Sequence, residues 1–184
     1  MRRSLALIAA AALLVAGCAG PRAAPDYFMA EPAPYLLDSG DRMRVVVFGQ
    51  DNLSASFAVD PSGDISMPLI GQVPARGRST ETLAADITAR LRNGYVRNPD
   101  VSVEIEAYRP FFILGEVAQA GQYPYVSGLT AETAVAVAGG FTPRAVKHSV
   151  EITRNIGGEV FRVVVPATTP VRPGDTITVR ERWF

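Results

Sequence analysis

The chain contains one cysteine and one histidine among its 184 residues. A zinc site takes three or four thiolate or imidazole ligands and a disulfide takes two thiols, so metal and redox chemistry have almost nothing to build on. A Ser-His or Cys-His couple would rest entirely on His148, in the loop-like stretch Pro143 to His148, which reads as a solvated loop residue. An excess of one charge is missing too: eighteen Lys and Arg face eighteen Asp and Glu. No global basic surplus therefore recruits nucleic acid, and a nucleic-acid partner is not expected. The apolar run that opens the chain, Leu5 to Val15, is too short for a stable membrane span. What is present is globular: 48% hydrophobic and 20% charged residues exclude a disordered tail or linker protein.

The opening segment is an address. Arg2 and Arg3, the apolar run and the small residues after it form a secretory signal over residues 1–17. Its end, Leu14-Val15-Ala16-Gly17-Cys18, resembles the lipobox of bacterial lipoproteins. That resemblance implies cleavage before Cys18, an S-diacylglycerol on its thiol and an N-palmitoyl group on the new amine. A plain cleaved signal that happens to contain Cys is the alternative. Cleavage removes two of the basic residues and leaves a mildly acidic mature protein. Several acyl chains anchor permanently where one would be marginal, at about 0.8 kcal/mol per buried methylene. Ala19 rather than Asp after the cysteine favours the outer membrane, with the protein facing the periplasm. Residues 18–34, with Pro21, Pro25, Pro32 and Pro34, read as an extended lipidated tether with little regular structure.

The folded part is rich in strands. Arg44 to Phe48 is a β-branched run after the turn Asp38-Ser39-Gly40-Asp41. The turn Asp60-Pro61-Ser62-Gly63-Asp64 predicts a hairpin joining Phe57-Val59 to Ile65-Ile70. Leu83, Ile87 and Leu91 make one apolar stripe on a helix that Thr80 can cap and Gly94 can stop. Val101, Val103 and Ile105 alternate with polar residues on a half-wet strand. From Tyr108 a second unit begins: strand Phe111 to Leu114 ending in Gly115-Glu116-Val117, its hairpin partner Gly121 to Val126, and a helix Ala131 to Ala138 capped by Thr130. That helix is apolar all round and is expected to be buried before Gly139-Gly140 ends it. Two more strands flank Asn155 to Gly158, and Thr176 to Arg180 is a last, closing strand. The order predicts an α+β protein of two small domains, at 35–107 and 108–165, with 166–184 closing the chain.

A weak internal echo links Ser39-Gly40-Asp41 and Pro173-Gly174-Asp175, each a Gly-Asp turn that leads into a strand. As physics it is a shared turn type only. The carboxylate pairs Asp38/Asp41, Asp60/Asp64 and Glu104/Glu106 each have a local explanation in a turn or on a wet strand face, and Gly139-Gly140 lacks the pattern and nearby Lys of a phosphate cradle. Neither an enzyme nor a cofactor is expected. Tyr108, Phe111, Phe112, Tyr123 and Tyr125 read as core or interface rings rather than a sugar platform.

Two sets of residues carry a family resemblance. Tyr35 to Asp41 leading into Val45 to Gly49, then Val59 to Ile65 with Pro68 to Gly71, then Asn98 to Val103, resembles the polysaccharide export domain. Gly115-Glu116-Val117 with Gly121-Gln122-Tyr123, Leu129-Thr130 and Ala138 to Phe141 resembles the soluble ligand-binding β-grasp (SLBB) domain that follows it. The turn residues Gly40, Asp41, Asp60, Gly63, Gly115, Gly121, Gly139 and Gly140 carry the motifs. Together they are similar to the Wza-like outer-membrane polysaccharide export lipoproteins. The resemblance implies a non-enzymatic subunit of a ring-like homo-oligomer through which capsular or exopolysaccharide leaves the cell. It also implies docking on an inner-membrane polysaccharide co-polymerase, often a tyrosine autokinase. A monomeric lipoprotein that binds a small ligand or glycan through its β-grasp domain is the alternative. Ala120-Gly121 replaces the family's usual Pro-Gly, a minor loss of turn stiffness. Pore-forming members continue into a C-terminal amphipathic helix, whereas this sequence stops at Arg180 to Phe184, so no pore helix is expected of it. Trp183 and Phe184 are expected to pack as the last aromatics of the terminal strand, with contact to an interface or partner as the alternative.

Overall fold

A computed structural model describes Phe28 and residues 34–183. The signal, Cys18 and nearly all of the tether lie outside the described residues. Two hydrophobic cores organise the rest, and each has one helix laid on sheet, so the protein is α+β with two domains.

The first core is built around β1 (Arg42–Val47), which lies between β2 (Ala55–Ala58) and β5 (Val101–Ala107) in an antiparallel sheet. Alternation along β1 buries Met43, Val45 and Val47 beneath α1 (Thr80–Arg92), which offers Leu83, Ile87 and Leu91 from its single apolar stripe. Ser79, one residue before the expected cap, accepts from the Thr82 N–H; Thr80 is already inside the helix. Burying the three branched chains stabilises by about 2 kcal/mol each. A separate hairpin of β3 (Asp64–Met67) and β4 (Gly71–Pro74) closes the core with Ile65, Met67 and Val73.

The hairpin expected across Asp60 to Asp64 does not form. Its turn does, with Asp60 Oδ1 accepting from the Gly63 and Asp64 N–H groups at 2.9 Å each. Yet β2 pairs with β1 and β3 pairs with β4. The reason is a second reversal at Pro68 to Ile70, where Leu69 adopts φ 70°, which hands β3 a nearer partner than β2.

The second core lies under a five-stranded sheet whose order is β7-β6-β10-β8-β9. Its strands are β6 (Phe111–Gly115), β7 (Gly121–Tyr123), β8 (Ser149–Ile156), β9 (Glu159–Pro166) and β10 (Thr176–Val179). The last strand enters the middle of this sheet, parallel to β6 and antiparallel to β8. Without Ile177 and Val179, both fully or almost fully buried, the sheet would fall into two hairpins. Helix α2 (Ala131–Val137) crosses the inner face, and its Thr130-Thr133 capping box starts it as expected. Only one side of α2 is buried, through Ala131, Ala134 and Val135; Val137 is 57% exposed, because the sheet covers a single face of so short a helix. Phe28 completes this core, so at least one residue of the presumed tether is packed inside the second domain.

Candidate functional site

The turn residues singled out by the sequence assemble into two groups, one per domain. In the first, the Gly40 N–H donates to the Val59 carbonyl, Ser39 Oγ donates to the Asp60 carbonyl, and Arg76 ties Asp38 to the Pro61 carbonyl. Gly63 is buried against Arg76, whose Cβ would lie 2.7 Å from a Cβ at that position. In the second, Val117 bridges to Phe141, and the Ala118 N–H donates to the Gly140 carbonyl. The segments Gly115-Glu116-Val117 and Gly139-Gly140-Phe141 thus meet across the domain. Gly139 abuts Ala118, while Gly121 opens β7 beside the Tyr123 ring. Gly115 lies so close to β10 that an added Cβ would be 2.1 Å from the Val179 carbonyl oxygen.

Between the two domains runs Arg109, which the sequence did not single out. Asp41 is fully buried, and both of its carboxylate oxygens are occupied. Oδ1 accepts from the Arg109 backbone N–H at 2.8 Å. Oδ2 accepts from the Tyr35 hydroxyl at 2.7 Å, the Asp38 N–H at 2.8 Å and the Arg109 guanidinium at 3.2 Å. The other side of Arg109 lies on Gly174, where a Cβ would be 2.7 Å from Nε. One side chain is therefore held between the Gly-Asp turns of the two domains. Tyr35, Tyr108 and Tyr125 continue the junction as successive edge-to-face pairs, with centroids 4.9 and 5.3 Å apart.

The second Gly-Asp turn repeats the first in its bonds. The Asp175 N–H donates to the Arg172 carbonyl, and Asp175 Oδ2 accepts from the Arg172 N–H at 2.8 Å, as Asp41 does with Asp38. Asp175 also holds a buried arginine in a bidentate pair: Arg154 donates from Nε at 2.9 Å and from a terminal nitrogen at 2.7 Å. The Arg154 guanidinium lies 4.7 Å from the Phe28 ring centroid, which gives the N-terminal segment a cation–π contact as well as an apolar socket. The echo is thus a repeated device, a buried Asp that stiffens its own turn and captures one arginine.

Burial dominates the electrostatics here. It pushes the Tyr35 phenol well above its ordinary range, with its hydrogen bond to Asp41 acting in the same direction. It raises Tyr125, next helped by Tyr108, and lowers Arg172, next to the Arg154 charge. None of this resembles a poised acid or base, since each shift favours the neutral form of a group held in packing. His148 is exposed, Glu104 and Glu106 are on the wet side of β5, and among the described residues no group of three His, Cys, Asp or Glu could hold a metal ion. Of the aromatics, Phe111 is core, Tyr108 and Tyr125 belong to the junction, Tyr123 packs on Phe111, and Phe112 is on the open face of the sheet. Trp183 corrects the expectation of a packed terminal ring: it is 90% exposed, because the chain leaves the sheet at Val179 and pairs only through Glu181 with Ala145. Phe184 lies outside the described residues.

Fold and junction together define a two-domain α+β scaffold with its domains clasped through one arginine. Residues 29–106 match the family model of polysaccharide biosynthesis/export proteins, and residues 110–164 match the SLBB domain. The chain belongs to the polysaccharide export protein family. It is 39% identical over 90 residues to the exopolysaccharide production protein ExoF of Rhizobium meliloti, covering 48% of this chain and 21% of that protein. It is 29% identical over 111 residues to the polysialic acid transport protein KpsD of Escherichia coli, covering 59% and 20%. With the EPS I polysaccharide export outer membrane protein EpsA of Ralstonia solanacearum it shares 26% identity, over 85% of this chain and 50% of that protein. The chain thus spans between a fifth and a half of the length of these relatives.

Proposed function

We propose that this protein is a lipid-anchored subunit, facing the periplasm at the outer membrane, of an oligomeric channel for capsular or exopolysaccharide. The observation that carries the reading is the tandem of two family models, in order, between residues 29 and 164, together with relatives named for polysaccharide production, transport and export. In this reading the chain is a non-enzymatic conduit component. Cys18 is its attachment point, and an inner-membrane polysaccharide co-polymerase is its docking partner. Self-association is supported by the outer face of the second sheet, where Phe112 and Leu114 are exposed on β6 and Val160 and Val164 on the edge strand β9. Such a face is what a second copy would cover. No helix among the described residues is long and apolar enough to cross a membrane; in this reading the lipid on Cys18 is the anchor.

Deletion of the gene followed by assay of secreted polysaccharide tests the role. Loss of export, restored by the intact gene, is expected; undiminished export in a strain with no second copy overturns it. The mass of the protein extracted in mild detergent separates the ring from a monomeric ligand-binding lipoprotein.

A further inference from the structure

The C-terminal segment forms a cleft that the export reading does not use. Val146, His148, Arg180, Glu181, Arg182 and Trp183 line about 490 Å3 of open space, within the range of about 300–1,000 Å3 typical of small-ligand sites. Its wall is held by backbone pairing: the Val146 N–H donates to the Arg180 carbonyl at 2.9 Å, and the Arg182 N–H donates to the Arg144 carbonyl at 2.7 Å. The charges are unbalanced. Glu181, the one acid of the lining, is already paired with Arg144 just outside. Arg180 spends one donor on Ser149 Oγ at 3.2 Å, and the exposed Arg182 side chain has no partner among the described residues. Two exposed arginines with free donors thus line one open cleft together with the 90% exposed Trp183.

We infer that this cleft binds a carboxylated sugar unit of an acidic polysaccharide, with the Trp183 ring against the sugar face and Arg180 and Arg182 on the carboxylate. Each part of that ligand answers one feature of the cleft. A pyranose ring offers an apolar C–H face to an indole, and a carboxylate accepts from the planar guanidinium fork in bidentate geometry. A neutral sugar would use the indole and leave both cations unmatched; a phosphate would use the cations and leave the indole wet. The exposure of the site keeps binding weak and salt-sensitive, with charges screened over about 10 Å at 0.1 M salt. Weak binding suits a handing-on site, since tight binding would slow transit. The inference rests on the export reading only for the source of the acidic sugar, the chain in passage.

The test uses the full-length lipidated protein in mild detergent, titrated with hexagalacturonate at low salt. Saturable binding is expected, with maltohexaose of the same length bound at least about tenfold more weakly. Trp183→Ala and the pair Arg180→Ala/Arg182→Ala should each lower hexagalacturonate affinity about tenfold, the usual consequence of truncating an aromatic or arginine anchor. These side chains are exposed, so the variants should unfold at the wild-type temperature. Equal binding of acidic and neutral oligomers, or wild-type affinity in both variants, overturns the site, as does displacement of the sugar by phosphatidylglycerol vesicles or by equimolar phosphate. The gene-deletion assay keeps the two readings apart. Export lost on deletion, with affinity unchanged in the variants, overturns the cleft alone; export retained on deletion overturns the conduit role whatever the cleft binds.

Discussion

Asp41 accepts four hydrogen bonds at a position with no solvent to fall back on. Asp41→Asn replaces one acceptor oxygen with a donor that faces N–H and O–H groups. A loss of about 3 kcal/mol is expected, measured by urea unfolding, because several buried donors lose their partner at once. Arg154→Met should cost about 3–5 kcal/mol by the complementary route, leaving the Asp175 carboxylate buried without its cation. The Tyr35 phenol carries a pH signature. Its ordinary value is 10.0 and folding raises it, so the folded state keeps the proton that the unfolded chain releases. The stabilisation is complete below about pH 10 and is lost as pH rises beyond it; Tyr125 adds to the same limb. Thermal unfolding between about pH 9 and 11 should show a steep fall in stability that is shallower in Tyr35→Phe. Arg109 and Arg154 were not legible from sequence, because nothing local marks an arginine whose partner lies 68 or 21 positions away. The one available signal was the Gly-Asp echo, which marked the two acids but not the cations they hold.

At the scale of elements, the parallel pair of β6 and β10 carries the second domain. Gly115 ends β6 at φ 87°, and the Glu116 N–H donates to the Val179 carbonyl at 3.0 Å. Gly115→Ala places a Cβ 2.1 Å from that carbonyl oxygen and adds about 1–2 kcal/mol of left-handed strain. The two strands must separate locally, so a fall in midpoint temperature and faster hydrogen exchange along β10 are expected. Both helices and their stops were legible, since capping and periodicity are written locally, but only α1 showed its buried stripe; α2, apolar all round, did not reveal which side would stay exposed. Most strands were legible for the same reason, although β4 at Gly71–Pro74 was not. Pairing was legible only for the hairpins β6–β7 and β8–β9; β2 and β3 also carry the pattern of a hairpin, but each found a different partner. The extra turn at Leu69 decided that outcome, in a conformation that a branched apolar residue does not advertise.

For the whole molecule, the N-terminal segment links what the sequence kept apart. Phe28 precedes the first domain yet fills the core of the second, beneath Arg154. Phe28→Ala should destabilise the second domain by about 3 kcal/mol and leave the α1 core unaffected, which hydrogen exchange resolved by domain would display. Membrane attachment belongs to this scale too. Cys18→Ser is expected to release the protein from the outer-membrane fraction, and a variant that still fractionates there would remove the lipid anchor from the proposal.

By itself the sequence determined the α+β class, the two helices and the buried stripe of the first, most strands, the turn chemistry and the family motifs. Each of these is encoded within a dozen or so neighbouring residues, through periodicity, caps or glycine. The tertiary structure alone decided how the strands beyond the two local hairpins pair, that the last strand is central to its sheet, that one arginine clasps the two Gly-Asp turns, and that Trp183 stays in water beside two exposed arginines. Those outcomes depend on which distant groups compete for the same edge, carboxylate or cavity, and burial settles that competition only when the whole chain is assembled.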